Sequence, residues 1–105
     1  MHHTYQMKYM TQLQNQQIKN KMFHDVNLEF LDYGWELKEN TMDTIVYTHP
    51  IYPTDEFKIK MNNKHIKVTI PVVSSNIEYS ASFTSYYQAS EYLLFHLNYH
   101  SKINI

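Results

Sequence analysis

Residues 56–71 alternate apolar and polar side chains twice over. Phe57, Ile59 and Met61 are separated by Lys58 and Lys60, and Ile66, Val68 and Ile70 by Lys67 and Thr69. A period of two belongs to strands, and Asn62-Asn63 between the two runs predicts a hairpin. A two-residue Asn62-Asn63 loop sets Ile59 opposite Ile66, Phe57 opposite Val68 and Lys58 opposite Lys67. One face of this hairpin is then wholly apolar, and a lone hairpin is marginal in water. Whatever else the chain builds must cover that face.

Two segments have the pattern to do so. Ile18, Met22, Val26 and Phe30 recur every four residues and draw one stripe along a helix, which Phe23 widens. Gly34 follows as the natural left-handed residue beyond the helix end. The rival reading of this stretch is a strand, since Val26, Leu28 and Phe30 also alternate with Asn27 and Glu29. The second segment opens at Ser85 with Gln88 three residues later, the capping-box spacing, and predicts a helix from Tyr86 to His100. Between the helices, Trp35–Lys38 and Thr44–Thr48 read as strands, and Pro50 and Pro53 mark a connection. Residues 72–82 read as a loop, with a short strand at 79–83 as the alternative. The predicted fold class is therefore α+β in two layers: an N-terminal helix, a four-stranded, mostly antiparallel meander, and a C-terminal helix packed on the sheet. Residues 1–105 are read as a single domain, with 1–17 either a polar arm or a solvated helix and 101–105 a fraying tail.

Composition narrows the functional classes by what it lacks. There is no cysteine, which removes disulfides, thiolate nucleophiles and thiolate metal sites together. All nine basic residues are lysine, so the bidentate guanidinium that reads guanine and clamps phosphate is missing. Gly34 is the only glycine, and a phosphate-cradling loop needs several. No apolar run approaches the roughly 20 residues of a membrane span. Residues 1–10 lack the basic-then-apolar order of a secretory signal, so the expected location is intracellular, in cytoplasm or nucleus, or inside a virion, and not secreted. Abundant Lys, Asn, Ile and Tyr with scarce Gly and Ala match A+T-rich codons, such as those of many large DNA viruses.

Three groups of residues carry the functional expectations. On the last helix, about 100° per residue places Tyr86, Ala89, Leu93, His96, Leu97 and His100 on the core side. Tyr87, Leu94 and Phe95 fall outside that face, so this helix is apolar nearly all round, and its second cover is expected to be either the N-terminal segment folded over it or another molecule, a protein partner or a second copy of the chain. The hairpin's polar face gathers Lys58, Lys60, Lys64 and Lys67, which read first as an exposed face that keeps the protein soluble and discourages edge pairing, and otherwise as a patch for an acidic partner or, as the alternative function, a sequence-indifferent nucleic-acid contact. His96 and His100, four apart, are weak candidates for a metal, because no neighbour on the helix supplies a third ligand and only a remote one such as His24 or His49 could. No serine sits in a nucleophile-elbow setting, and adjacent Asp55 and Glu56 would point to opposite faces of a strand, so no catalytic set and no cofactor are expected. The order helix, strands, helix is similar to that of double-stranded-RNA-binding domains, whose last helix opens on lysines; this one opens Ser85-Tyr86-Tyr87-Gln88, and the likeness ends at element order. The sequence-based reading is a non-enzymatic interaction or structural module.

Overall fold

A computed structural model of the protein describes residues 2–72 and 77–103, with side chains from residue 11 onward. The elements run α1 (His2–Asp32), β1 (Glu36–Asn40), β2 (Thr44–Thr48), β3 (Glu56–Asn62), β4 (His65–Pro71), β5 (Glu78–Phe83) and α2 (Tyr86–Ile103). The five strands pair antiparallel in the order β1-β2-β3-β4-β5. Both helices lie on one face of this meander, so the α+β two-layer reading holds with one strand more than expected. The fifth, β5, is the short strand given as the alternative for 79–83, begun one residue earlier at Glu78, and residues 73–76 of the stretch read as loop lie outside the described residues.

The four-residue stripe decides the helix-or-strand question for 18–31. Met22, Val26 and Phe30 have no exposed surface, while Leu28, which a strand would align with Val26 and Phe30, is 71% exposed. α1 continues back to His2, so residues 2–17 are helix rather than an arm. Its end is a Schellman motif. The Trp35 amide donates to the Phe30 carbonyl at 2.9 Å and the Gly34 amide to that of Leu31 at 3.0 Å, with Gly34 at φ +87°. The motif's apolar contact is Trp35 edge-on to Phe30, and that contact carries the chain straight into the core. At the other end of the fold, Ser85 caps α2: its hydroxyl accepts the Gln88 amide at 3.3 Å. α2 runs to Ile103 rather than fraying at residue 101; Ser101 donates its hydroxyl to the Leu97 carbonyl at 2.9 Å.

The hairpin forms, but two residues out of the expected register. Asn62 pairs with His65, so the turn residues are Asn63 and Lys64, and Asn63 adopts φ +56°, a conformation that asparagine tolerates. The gain is visible next to the turn: Met61 now faces Ile66, whereas an Asn62-Asn63 loop would have set it against Lys64. Ile59 therefore faces Val68, Lys58 faces Thr69, and the opposed lysines are Lys60 and Lys67. A shift of two leaves every side chain on its expected face, since only an odd slip would exchange them.

The core lies between that apolar face and the helices. Phe30 stacks on Tyr47 with ring centroids 4.0 Å apart and meets Phe57 edge-on at 5.2 Å; Trp35 meets Phe57 edge-on at 4.8 Å. Leu93, Leu97 and Ala89 close the α2 side. Polar bonds fasten α1 across the sheet. Tyr47 donates its hydroxyl to Asn27 at 2.8 Å, and burial pushes that hydroxyl's pKa up. Lys19 donates to Asn40 at 2.7 Å.

Candidate functional site

The open surface worth reading for function is on and beside α2, because there the fold leaves aromatic rings uncovered. The helix buries Ala89, Leu93, Leu97 and His100 against the sheet. Residues four apart on its outer side then repeat as Tyr87, Glu91, Phe95, Tyr99 and Ile103, all exposed. Phe95 is 64% exposed and its ring stacks on Tyr99, with planes 11° apart. Of the three residues expected at an interface, Tyr87 and Phe95 stand open in this way. Leu94 is half-buried and packs against the core, so it is brought to the edge of the patch and not into its centre.

On one flank of this helix a cleft of about 370 Å³ opens against β4 and β5, walled by Ile70, Val72, Tyr79, Tyr92, His96 and Tyr99. Tyr79 belongs to β5 and faces the helix layer, because it is the partner of core residue Ile70, yet it is 58% exposed. His96 packs on Tyr92, with centroids 4.4 Å apart, and meets Phe95 edge-on. Burial lowers the His96 pKa, which favours an uncharged ring at neutral pH. Apart from His100, which also lines it, the cleft is an aromatic and aliphatic surface suited to apolar contact.

A second cleft, about 330 Å³, lies at the end of the helix layer and shares His100 with the first. His100 is buried, with Nε2 2.9 Å from an Asp55 carboxylate oxygen, and its ring sits edge-on to Trp35 and Tyr52. His49 is held at both ring nitrogens: Nδ1 accepts the Ile51 amide and Nε2 faces the Tyr33 carbonyl, each at 3.1 Å. The tautomer with its proton on Nε2 satisfies both. These bonds lock the 49–55 connection onto Gly34, Trp35 and the end of α2. Chemically the pair Asp55–His100 orients an imidazole, but the neighbouring Ser101 hydroxyl is spent on the helix backbone. The arrangement reads as a clamp.

Among the described residues, no three of His, Cys, Asp and Glu gather to hold a metal. His96 and His100 do line one cleft, but His100 engages Asp55, and His24 lies on α1 beside Asp25. The lysines take the opposite side of the protein. Lys58, Lys60 and Lys67 project from the uncovered sheet face, and Lys64 occupies the turn. Acids are interleaved with them: the Glu39–Val46–Lys58 row crosses the same face, and Glu56 binds Lys38 at 2.7 Å, which raises the pKa of that ammonium.

Sequence reasoning missed the Asp55–His100 pair, whose members lie 45 residues apart, and the part played by Tyr79. For Tyr79 a signal existed in the alternation of Tyr79 and Phe83 with serines. For the pair there was none. Among the described residues, no helix is long and apolar enough to cross a membrane. No protein family, curated protein or solved structure matches this chain.

Proposed function

We propose that the protein is a non-enzymatic interaction module whose binding surface is the outer, aromatic side of α2 together with the cleft beside it. The observation that carries this reading is the pair Phe95 and Tyr99, two stacked rings held in solvent on a well-capped helix. Leaving a phenylalanine ring exposed forgoes about 1.5–3 kcal/mol of burial, and the neighbouring Tyr79 and Ile103 extend the same apolar surface. Contiguous patches of this kind mark association sites far more often than singly scattered apolar residues do. Aromatic rings also carry much of the binding energy where interfaces have been dissected. The lysine face supports a nucleic-acid reading less well, because Glu39 and Glu56 share that face and the chain carries a net charge of −1.

The test is Phe95→Asp, measured by solution mass and by unfolding. The expected result is a folded protein with unchanged secondary structure that has lost its assembly. A variant that keeps the assembled mass of the parent would show that α2's outer side is not the contact.

A further inference from the structure

We propose that the partner is a second copy of this chain, joined antiparallel along β5 about a two-fold axis normal to the sheet; the proposal rests on reading the side of α2 next to β5 as an interface.

The two edges of the sheet are built differently. β1 carries Glu36, Lys38 and Glu39 within five residues and has a bulge between Leu37 and Glu39, two devices that discourage another strand from pairing. β5 reads Glu-Tyr-Ser-Ala-Ser-Phe, with one charge, no proline and an unbroken register against β4. Its outer backbone edge has no partner strand among the described residues. The protein has blunted one edge and left the other fit for pairing.

The side chains of β5 point the same way. Tyr79, Ala81 and Phe83 are the register partners of core residues Ile70, Val68 and Ile66, so they face the helix layer. Yet α2 leaves Tyr79 largely open and Ala81 and Phe83 only half-covered. A two-fold normal to the sheet keeps both copies' helices on one side, which requires residues of like facing to oppose one another. Centred on Ala81, this register sets Tyr79 opposite Phe83 twice and Ser80 opposite Ser82 twice, with the small Ala81 meeting itself on the axis. Glu78, the only charge, falls opposite Thr84, so no like charges meet. The neighbouring register, centred on Ser80, pairs Tyr79 with Ala81 and loses the aromatic pairs. Phe83 already packs against Tyr92, with centroids 5.1 Å apart, and Tyr92 against His96. A Tyr79 arriving from the second copy would extend that row of rings and cover the side of the cleft that β5 leaves open.

The absence of cysteine makes a direct test available. Side chains directly opposed across an antiparallel pair have Cβ atoms about 4.5–5.5 Å apart, close to disulfide reach. Ala81→Cys in the full chain, under mild oxidation, is expected to form the covalent dimer at least tenfold faster than Glu39→Cys on the β1 edge. The unmodified chain is expected at twice its monomer mass, and Ser80→Glu with Ser82→Glu at monomer mass: these changes oppose carboxylates across the pairing, while within one copy position 82 stands beside Lys67 and position 80 beside the Thr69 hydroxyl, which can donate to it. A chain that stays monomeric at high concentration overturns the proposal, as does an Ala81→Cys protein that cross-links no faster than Glu39→Cys. The two readings fail separately. A dimer that Phe95→Asp dissociates but Ala81→Cys does not trap retains the α2 interface and rejects β5. A trapped β5 dimer whose mass is indifferent to Phe95→Asp keeps the strand pairing and rejects Phe95 as part of the contact.

Discussion

Two groups of aromatic rings share this small protein and meet opposite fates. Phe30, Trp35, Tyr47 and Phe57 interlock in the core, with Phe30 and Tyr47 stacked and the others edge-on. Phe95, Tyr99 and Tyr79 have similar chemistry, and the first two are stacked as well, yet all three are open to solvent. Ring type and ring geometry therefore do not separate a core from an open surface. What separates them is the supply of cover. The first group has a helix on one side and a sheet on the other, whereas the second sits where α2 and β5 both run out of neighbours.

The sharpest way to break this comparison is to truncate one ring from each group. Phe30→Ala removes a ring with no exposed surface and is expected to cost about 3–5 kcal/mol, a large fraction of the stability of a domain this size. Phe95→Ala is expected to stay within about 0.5 kcal/mol of the parent when both are measured as monomers in urea. Equal costs at the two positions would mean that Phe95 belongs to the home core, and the case for an interface would go with it.

The sequence carried Phe30 and Phe57 of the sealed group, and much of its frame, but read Trp35 and Tyr47 only as strand residues. The strict alternation in 56–71 and the four-residue stripe from Ile18 to Phe30 each offer one face to bury, and the structure buries those faces against each other. Faces were legible because they depend only on parity and helical period. Register was not, since it turned on whether Asn62-Asn63 or Asn63-Lys64 made the turn, and Met61 packing against Ile66 decided it. Residues 2–17 left arm and solvated helix undecided because they have little apolar period to show; they continue α1 without a break. β5 was equivocal because Ser80, Ala81 and Ser82 have weak strand preference, and only two of its rings mark a face. For the open site, Tyr87 and Phe95 could be read from the helical wheel, but the cleft could not. Its far wall comes from β5, and its floor includes His100, whose place is fixed by Asp55 from a distant loop.

A smaller effect is expected at Gly34, where the end of α1 is joined to the sealed cluster. Its φ of +87° disfavours any side chain, and a Cβ there would stand 3.0 Å from His49 Nε2. Gly34→Ala is expected to lower stability by about 1–3 kcal/mol in thermal unfolding. Repeating the change in a His49→Ala background separates the two causes. If the ring contact contributes, the penalty shrinks to the backbone part of about 1 kcal/mol. An undiminished penalty would assign the whole effect to the backbone.

The smallest expected effect belongs to the open group and concerns His96, which packs on Tyr92 and Phe95 in a cleft also lined by Tyr79, Tyr99 and His100. Burial lowers its pKa below the usual histidine value, so as pH falls past about 6.5 the unfolded chain takes up the proton before the folded one does. The contribution of a neutral His96 to stability is therefore complete above that pH and declines below it, until the folded ring is protonated too. Asp25 has the opposite kind of group and a different window. The Tyr86 hydroxyl holds its carboxyl below the ordinary value of 3.8, so its contribution persists until pH drops below that value. Between pH 7.5 and 5.5 the two do not overlap. Melting temperature should fall across this range in the parent and fall less in His96→Phe, with the two proteins alike at pH 7.5. Because the charged imidazolium would also face the cleft, dimer mass should weaken over the same interval in the parent and hold in the variant. Parallel pH curves for the two proteins would show that the aromatic cleft does not sense His96 protonation, and that its rings meet solvent or partner independently of the imidazole between them.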